Sequence, residues 1–388
     1  MDFDRDYEKH NEEIKKVWDS YNAKKPIRMP VILGVNNRVI MLDDKLNTKK
    51  YTFEQYFHDP LMMTEVCCEC EYQMRHNIYA DHEMGMPKEG WTISVDKQNL
   101  YECGWFGAEI VYAKNNVPFT EPFLDDDNKY EFLNKPFPKL FGNFEEMSFA
   151  TYNEMLKLQK KGYEFKGKPI KKVVYGSMGT DGPMTLGCMI RGTENFCADL
   201  IEDPVYADEL MDYLVEAAAF RIKGLRKYFG LKEVNDGYGF GDDSIALLSC
   251  DMYQEMIFSH HKKHFTLLLE DFDTSINSIH LCGDAQRHFK FIKDNLRVYS
   301  FDTGYPVNFK KLATELGSDI IRLNGGVRVD DLLQKKPEEV ANETKRIMDE
   351  VMPYTDRFVM REANNLSPST PFENIYSMYQ TVREYGGY

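Results

Sequence analysis

The apolar positions of this chain follow two rhythms. Over residues 6–21, 52–79, 204–228, 252–269, 309–316, 337–352 and 372–385 they recur every three to four residues, the spacing that gathers them on one face of a helix. Over residues 29–34, 170–175, 234–240, 274–281, 297–301, 319–323 and 357–360 they form short runs rich in β-branched and aromatic residues, which predict buried strands. From residue 169 onward the two kinds alternate, and short strands separated by helices imply parallel strands with crossover helices. No dinucleotide-binding glycine fingerprint accompanies them. The expected class is therefore α/β, a (β/α)₈ barrel rather than an open sheet. Residues 1–388 read as one barrel domain, with residues 1–28 as a helical N-terminal extension. Residues 91–123, mixed in polarity and dense in aromatics, read as an irregular β-rich insertion.

Barrel enzymes carry their active sites at the C-terminal ends of the strands. Here Asp242, Asp243, Cys282, Asp302, Asn324 and Glu362 follow the predicted strands and would ring that mouth. Helix caps and turns need the same residue types, and Asn324 suits that role equally. His280 and Cys282 are two apart on a strand, so their side chains point to the same face and could supply imidazole and thiolate to one zinc ion. Tyr175, Tyr238 and Tyr305 lie in or beside strands, where they either stack on a bound ring or fill the barrel. The run His260-His261-Lys262-Lys263-His264 reads as a solvated helix face, and Asp81-His82-Glu83 as a surface loop. The glycine-rich residues 176–182 lack a Walker lysine and read as a tight strand-to-helix connection.

Composition narrows the partners. A formal charge of −15 over 388 residues leaves no basic excess for nucleic-acid phosphates or anionic membrane surfaces. No apolar run reaches the length of a membrane span. The charged start and eight cysteines without a disulfide framework point to reduced thiols in the cytoplasm. Cys67, Cys68 and Cys70 fall inside a predicted helix and read as core residues.

Across residues 170–388 a set of fragments resembles the uroporphyrinogen decarboxylase superfamily. They are Gly182-Pro183-Met184-Thr185 with Arg191-Gly192, Asp242-Asp243-Ser244, His280-x-Cys282-Gly283, Ser300-Phe301-Asp302, Asn324-Gly325-Gly326-Val327, Lys336-Pro337-Glu338-Glu339-Val340, and Pro368-Ser369-Thr370-Pro371-x-Glu373-Asn374. Earlier, Trp105-Phe106-Gly107-Ala108-Glu109 is similar too. The resemblance implies a (β/α)₈ barrel. The arginine-rich motif with which the decarboxylases grip substrate carboxylates has no counterpart here, where Arg28-Met29-Pro30-Val31 stands instead.

The chain is closer to the corrinoid- and zinc-dependent methyltransferase branch, in which His-x-Cys and a later Cys bind zinc. His280 and Cys282 match the first two ligands; no Cys follows, and the resemblance leaves Glu362 or Asp243 as an oxygen ligand. It implies Zn²⁺-assisted movement of a methyl group between a small methylated substrate, such as a methyl ether, and a corrinoid protein or thiol. On that reading Asp242, Asp243 and Asp302 serve catalysis, Asp302 orienting His280 or acting as base, while Tyr238, Tyr305 and Asn324 face the bound cofactor. A homodimer is implied as well. Two rivals are a metal-free decarboxylase or lyase using Asp242 or Asp243, and a non-catalytic tetrapyrrole-binding barrel.

Overall fold

A computed structural model describes residues 5–388. The chain divides into two compact units, each built from separated stretches of sequence. The first comprises the chain up to Ser94, Met155–Val174 and Ser300–Tyr388; the second comprises Val95–Glu154 and Tyr175–Tyr299.

In the first unit, strand Trp91–Ser94 lies parallel to Lys168–Val174, with Ser94 opposite Val174. Strand Arg322–Val327 pairs in parallel with residues 300–302 on one side and with Phe358–Glu362 on the other. The register sets Asp302 beside Asn324 and Glu362 beside Val327. Val31 bridges Met360, so the predicted segment 29–34 runs extended against Phe358–Glu362. All five residues of Phe358–Glu362 are buried, as expected for a parallel strand covered on both faces. Helices Phe309–Leu316, Pro337–Val351 and Phe372–Tyr385 agree with the apolar periodicity. Helix Tyr7–Asn22 buries His10, Ile14, Val17 and Tyr21, and the Tyr21 hydroxyl donates to the Arg357 carbonyl at 2.8 Å.

In the second unit, strand Gly239–Gly241 pairs in parallel with Asn277–Leu281, placing Gly241 opposite His280. Asp181 bridges Gly241 from the other side, also in parallel. The long helix Pro204–Tyr228 begins with Pro at its first turn, where the missing N–H is harmless. Helix Phe258–Leu268 continues a π-helical turn, Tyr253–Ile257.

Three sequence expectations shift, and two helices stand where none is predicted. The strand expected at 319–323 runs instead from Arg322 to Val327, carrying Asn324, Gly325 and Gly326 inside it. Those glycines are there for close packing: a Cβ on Gly326 would stand 2.0 Å from the Arg361 carbonyl oxygen, and one on Gly325 2.5 Å from the Phe309 ring. Residues 91–123 are only partly β, because Tyr101–Phe106 is a helix closed by Gly107 at φ 99°. The strand expected over 234–240 contracts to its last residues and Gly241. Helices Pro183–Arg191 and Thr193–Glu202 were hidden by glycine: Gly187 sits where a Cβ would meet Phe196 at 2.3 Å. Among the described residues no helix is long and apolar enough to cross a membrane.

Candidate functional site

The alternation of strand Asn277–Leu281 turns Asn277, Ile279 and Leu281 into the core and leaves Ser278 and His280 half-buried on the opposite face. The partner strand leaves that face bare, because Gly239 and Gly241 are the residues that share it. A Cβ on Gly239 would collide with Ser278 Oγ at 2.0 Å. A Cβ on Gly241 would stand 3.5 Å from His280 Cδ2 and 3.5 Å from Asp181 Oδ1. Imidazole and carboxyl therefore lean over Gly241 from its two neighbouring segments.

Asp243 follows the glycine strand and turns toward His280, with its Oδ1 3.6 Å from His280 Nε2. The same oxygen accepts the backbone N–H of Cys282 at 2.7 Å, which fixes the carboxylate to the end of the His280 strand. His280, Asp243 and Cys282, all partly exposed, thus form one corner of the second unit.

Asp242 does different work. Fully buried, it accepts from Thr185 N–H and Oγ1 at 2.7 Å each and from Met184 N–H at 3.3 Å, capping helix Pro183–Arg191. His261 Nε2 stands 2.7 Å from the same carboxylate, and His261 Nδ1 stands 3.1 Å from the Tyr253 hydroxyl. A ring that donates to Asp242 and accepts from Tyr253 satisfies all three groups. The histidine run is accordingly no solvated face: His260, His261 and His264 are all buried. His260 lies between Asp212 at 2.9 Å and Asp208 at 3.0 Å. Burial pushes His264 down to about 3, so it is neutral.

Tyr238 faces the helix layer, packed at 5.6 Å from His264 and 6.3 Å from Phe265, with a buried, unpartnered hydroxyl. Tyr175 is likewise interior, stacked 4.9 Å from Phe229.

The remaining candidates belong to the first unit. Arg361 Nη1 donates to both Asp302 oxygens at 2.7 Å, and Arg361 Nη2 donates to Glu362 Oε1 at 2.7 Å. Gly34 N–H donates to the same Glu362 oxygen at 2.8 Å, while Oε2 is buried without a partner. Asn324 Oδ1 accepts from Arg322 at 2.6 Å. Tyr305 is half-buried, its ring 6.0 Å from Phe309 and its hydroxyl unpartnered. Asp81 is a buried residue rather than a surface one, held by both Arg28 nitrogens at 2.7 and 2.8 Å.

Burial raises the Glu362 carboxyl to about 7 despite Arg361 beside it. The unfolded group releases its proton near 4.5 and the folded one near 7, so between these values the folded state binds more protons and stability falls as pH rises. The full effect is roughly 3 kcal/mol. Glu362→Gln, which mimics the protonated form, is expected to flatten the stability difference between about pH 5 and pH 8 in urea denaturation. An unchanged difference would refute this.

A zinc ion with bonds of about 2.0–2.2 Å holds neighbouring donors roughly 3.3 Å apart. His280 and Asp243 come close to that separation. Among the described residues no three His, Cys, Asp or Glu side chains gather tightly enough to hold a metal. The donor chemistry fits two ligands as they stand, and the Cys282 thiol has to swing onto the pair to make a third.

Sequence reading missed Asp181, Glu102, His261 and Arg361. The signal for the first lay in Gly239-x-Gly241, since two glycines on one strand face leave room for a neighbour's side chain.

No curated protein matches the chain by sequence. Among solved structures, a methyltransferase from Methanosarcina mazei matches with a TM-score of 0.64 and 16% identity, covering 96% of this chain and 98% of that one. That likeness bears on the fold, and the α/β barrel class expected from the alternating elements is the family's own. The family model for uroporphyrinogen decarboxylase (URO-D) matches residues 102–385, and the chain belongs to that family.

Proposed function

We propose that the chain is a cytoplasmic methyltransferase that moves a methyl group between a small methylated substrate, of the methyl ether class, and a corrinoid protein or thiol. The observation that carries this reading is the corner where His280 Nε2 and Asp243 Oδ1 stand 3.6 Å apart beside Cys282. Similarity in fold to a structure named as a methyltransferase supports it. Arg28 also counts in its favour: buried and bound to Asp81, it does not offer a guanidinium to the carboxylates of a decarboxylase substrate.

In this reading His280, Cys282 and Asp243 would hold a zinc ion. A zinc ion with a carboxylate in place of a second thiolate would polarise the oxygen from which the methyl group departs. The chain's own residues bind and orient the substrate. Gly241 puts no side chain beside His280, and Asp242 with His261 keeps the Asp243 turn in place.

The test is conversion of reduced cobalamin to methylcobalamin in the presence of methyl aryl ethers, followed by absorbance. Methyl transfer by the native protein, and a loss of at least about 100-fold in His280→Ala, is expected. Equal rates in both would overturn the assignment.

A further inference from the structure

The two segments that carry Asp243 and Cys282 touch along their length, and one side chain spans them both. Asp243 opens the 3₁₀ helix Asp243–Leu247, while Cys282 follows strand Asn277–Leu281 and leads through Gly283 and Asp284 to helix Gln286–Leu296. At the near end Asp243 Oδ1 accepts the Cys282 N–H at 2.7 Å. Further along, Gly283 at φ 78° packs on Ala246, whose Cβ would stand 3.3 Å from a Cβ built on the glycine. At the far end the Arg287 guanidinium donates through Nε to the Leu248 carbonyl at 2.9 Å, through Nη2 to the Ala246 carbonyl and through Nη1 to the Asp284 carbonyl.

Local helix stability does not account for this arginine. It stands in the first turn of helix Gln286–Leu296, where the backbone N–H groups make the potential positive and an acid is the favoured residue. Its donors serve the C-terminal end of the 3₁₀ helix and, at the same time, a carbonyl of the Cys282 loop. The ion pair with Asp284, 3.4 Å away on a side chain 72% exposed, adds little. His288 Nε2 lies 3.0 Å from the Ile245 carbonyl, so the same helix end grips the turn a second time. Lysine cannot replace the fork, because a single nitrogen on a flexible stem does not span carbonyls spread around a planar guanidinium. Loop and turn thus form one block, which sets the backbone separation of two proposed zinc donors. Cys282 then comes onto the His280–Asp243 pair by rotation of its own side chain rather than by movement of its loop.

We infer that Arg287 is the positioning residue of the zinc corner, its guanidinium holding the loop of Cys282 against the turn of Asp243 so that both donors are in place before the metal arrives. The inference rests on the zinc reading proposed above. Arg287 is not a ligand; it acts through the backbone that carries two of them. A site ordered in advance avoids the cost of ordering it on binding. Residues that orient metal ligands contribute about 10–100-fold to metal affinity.

The experiment compares the native protein with Arg287→Lys and Asp284→Ala in two measurements. Zinc affinity is read by competition with a chromophoric chelator. The rate at which iodoacetamide alkylates each cysteine of the zinc-free protein is read by peptide mass spectrometry. In Arg287→Lys the zinc dissociation constant is expected to rise about 10- to 100-fold. Cys282 should alkylate about tenfold faster as its loop opens, while Cys188, buried in helix Pro183–Arg191, stays protected. Asp284→Ala keeps the carbonyl and removes only the exposed carboxylate, so both quantities should stay within about twofold of native. Unchanged zinc affinity in Arg287→Lys, or a Cys282 no more reactive than in the native protein, overturns the inference while leaving the zinc site standing. Faster alkylation of Cys188 together with Cys282 marks general unfolding and overturns it as well. A native protein that binds no zinc overturns the metal reading and the positioning role with it.

Discussion

Replacing Lys97 by Met is expected to destabilise the fold by about 3–5 kcal/mol, the usual effect of removing one partner of a buried ion pair. Lys97 Nζ lies 3.0 and 2.9 Å from the two Glu145 oxygens, and both side chains are 0% exposed. The ammonium also sits 3.9 Å from the centre of the Tyr175 ring, whose hydroxyl donates to Glu145. Burial outweighs the paired carboxylate and holds Lys97 down to about 8. The pair as a whole is therefore no great source of stability, but breaking it strands Glu145 in the interior with Tyr175 and Arg221. Urea denaturation at neutral pH measures the loss. The double variant Lys97→Met/Glu145→Gln should recover only part of it, because Glu145 no longer carries a stranded charge while Arg221, 3.6 Å away, loses its carboxylate neighbour. A single-variant loss below about 1 kcal/mol would contradict this description.

Asp242→Ala is expected to have an effect of similar size, about 4 kcal/mol, for a different reason. The substitution leaves the Met184 and Thr185 N–H groups, the Thr185 hydroxyl and His261 facing an apolar methyl in a fully buried place. Each unsatisfied buried group costs about 1–3 kcal/mol, reduced where water enters the space vacated. The same change frees the turn that carries Asp243, so methyl transfer should fall even under conditions where the variant is folded. Denaturation and turnover, measured on one preparation, check both. A variant as stable as the native protein would show that Asp242 does not organise this turn.

Much of the architecture was legible because apolar periodicity reports burial directly. Helices such as Phe309–Leu316 and Phe372–Tyr385, and the strand that carries His280, are read from residues whose only task is to face the core. Glycine caused two of the errors. Gly187, Gly325 and Gly326 look like breaks in one dimension but mark places where another segment approaches within contact distance. The site was legible only in part for the same reason. His280 and Cys282 are two apart in sequence, so a local rule finds them. Asp181, Gly241 and His280 come from three separate segments, and only parallel pairing sets them side by side. Asp242 and Asp243 are sequence neighbours with opposite fates, because the strand ends at Gly241 and the chain turns at Asp242 into the 3₁₀ helix Asp243–Leu247. One enters the core to meet His261, and the other turns to His280.

In the proposed function the His280 corner binds the metal that methyl transfer uses. The most direct measurement is the zinc content of the purified native protein beside that of His280→Ala/Cys282→Ala, after both have been supplied with zinc and freed of excess. About one zinc per native chain, absent from the folded variant, is the expected result. Equal zinc in the two proteins, or none in the native one, would contradict it.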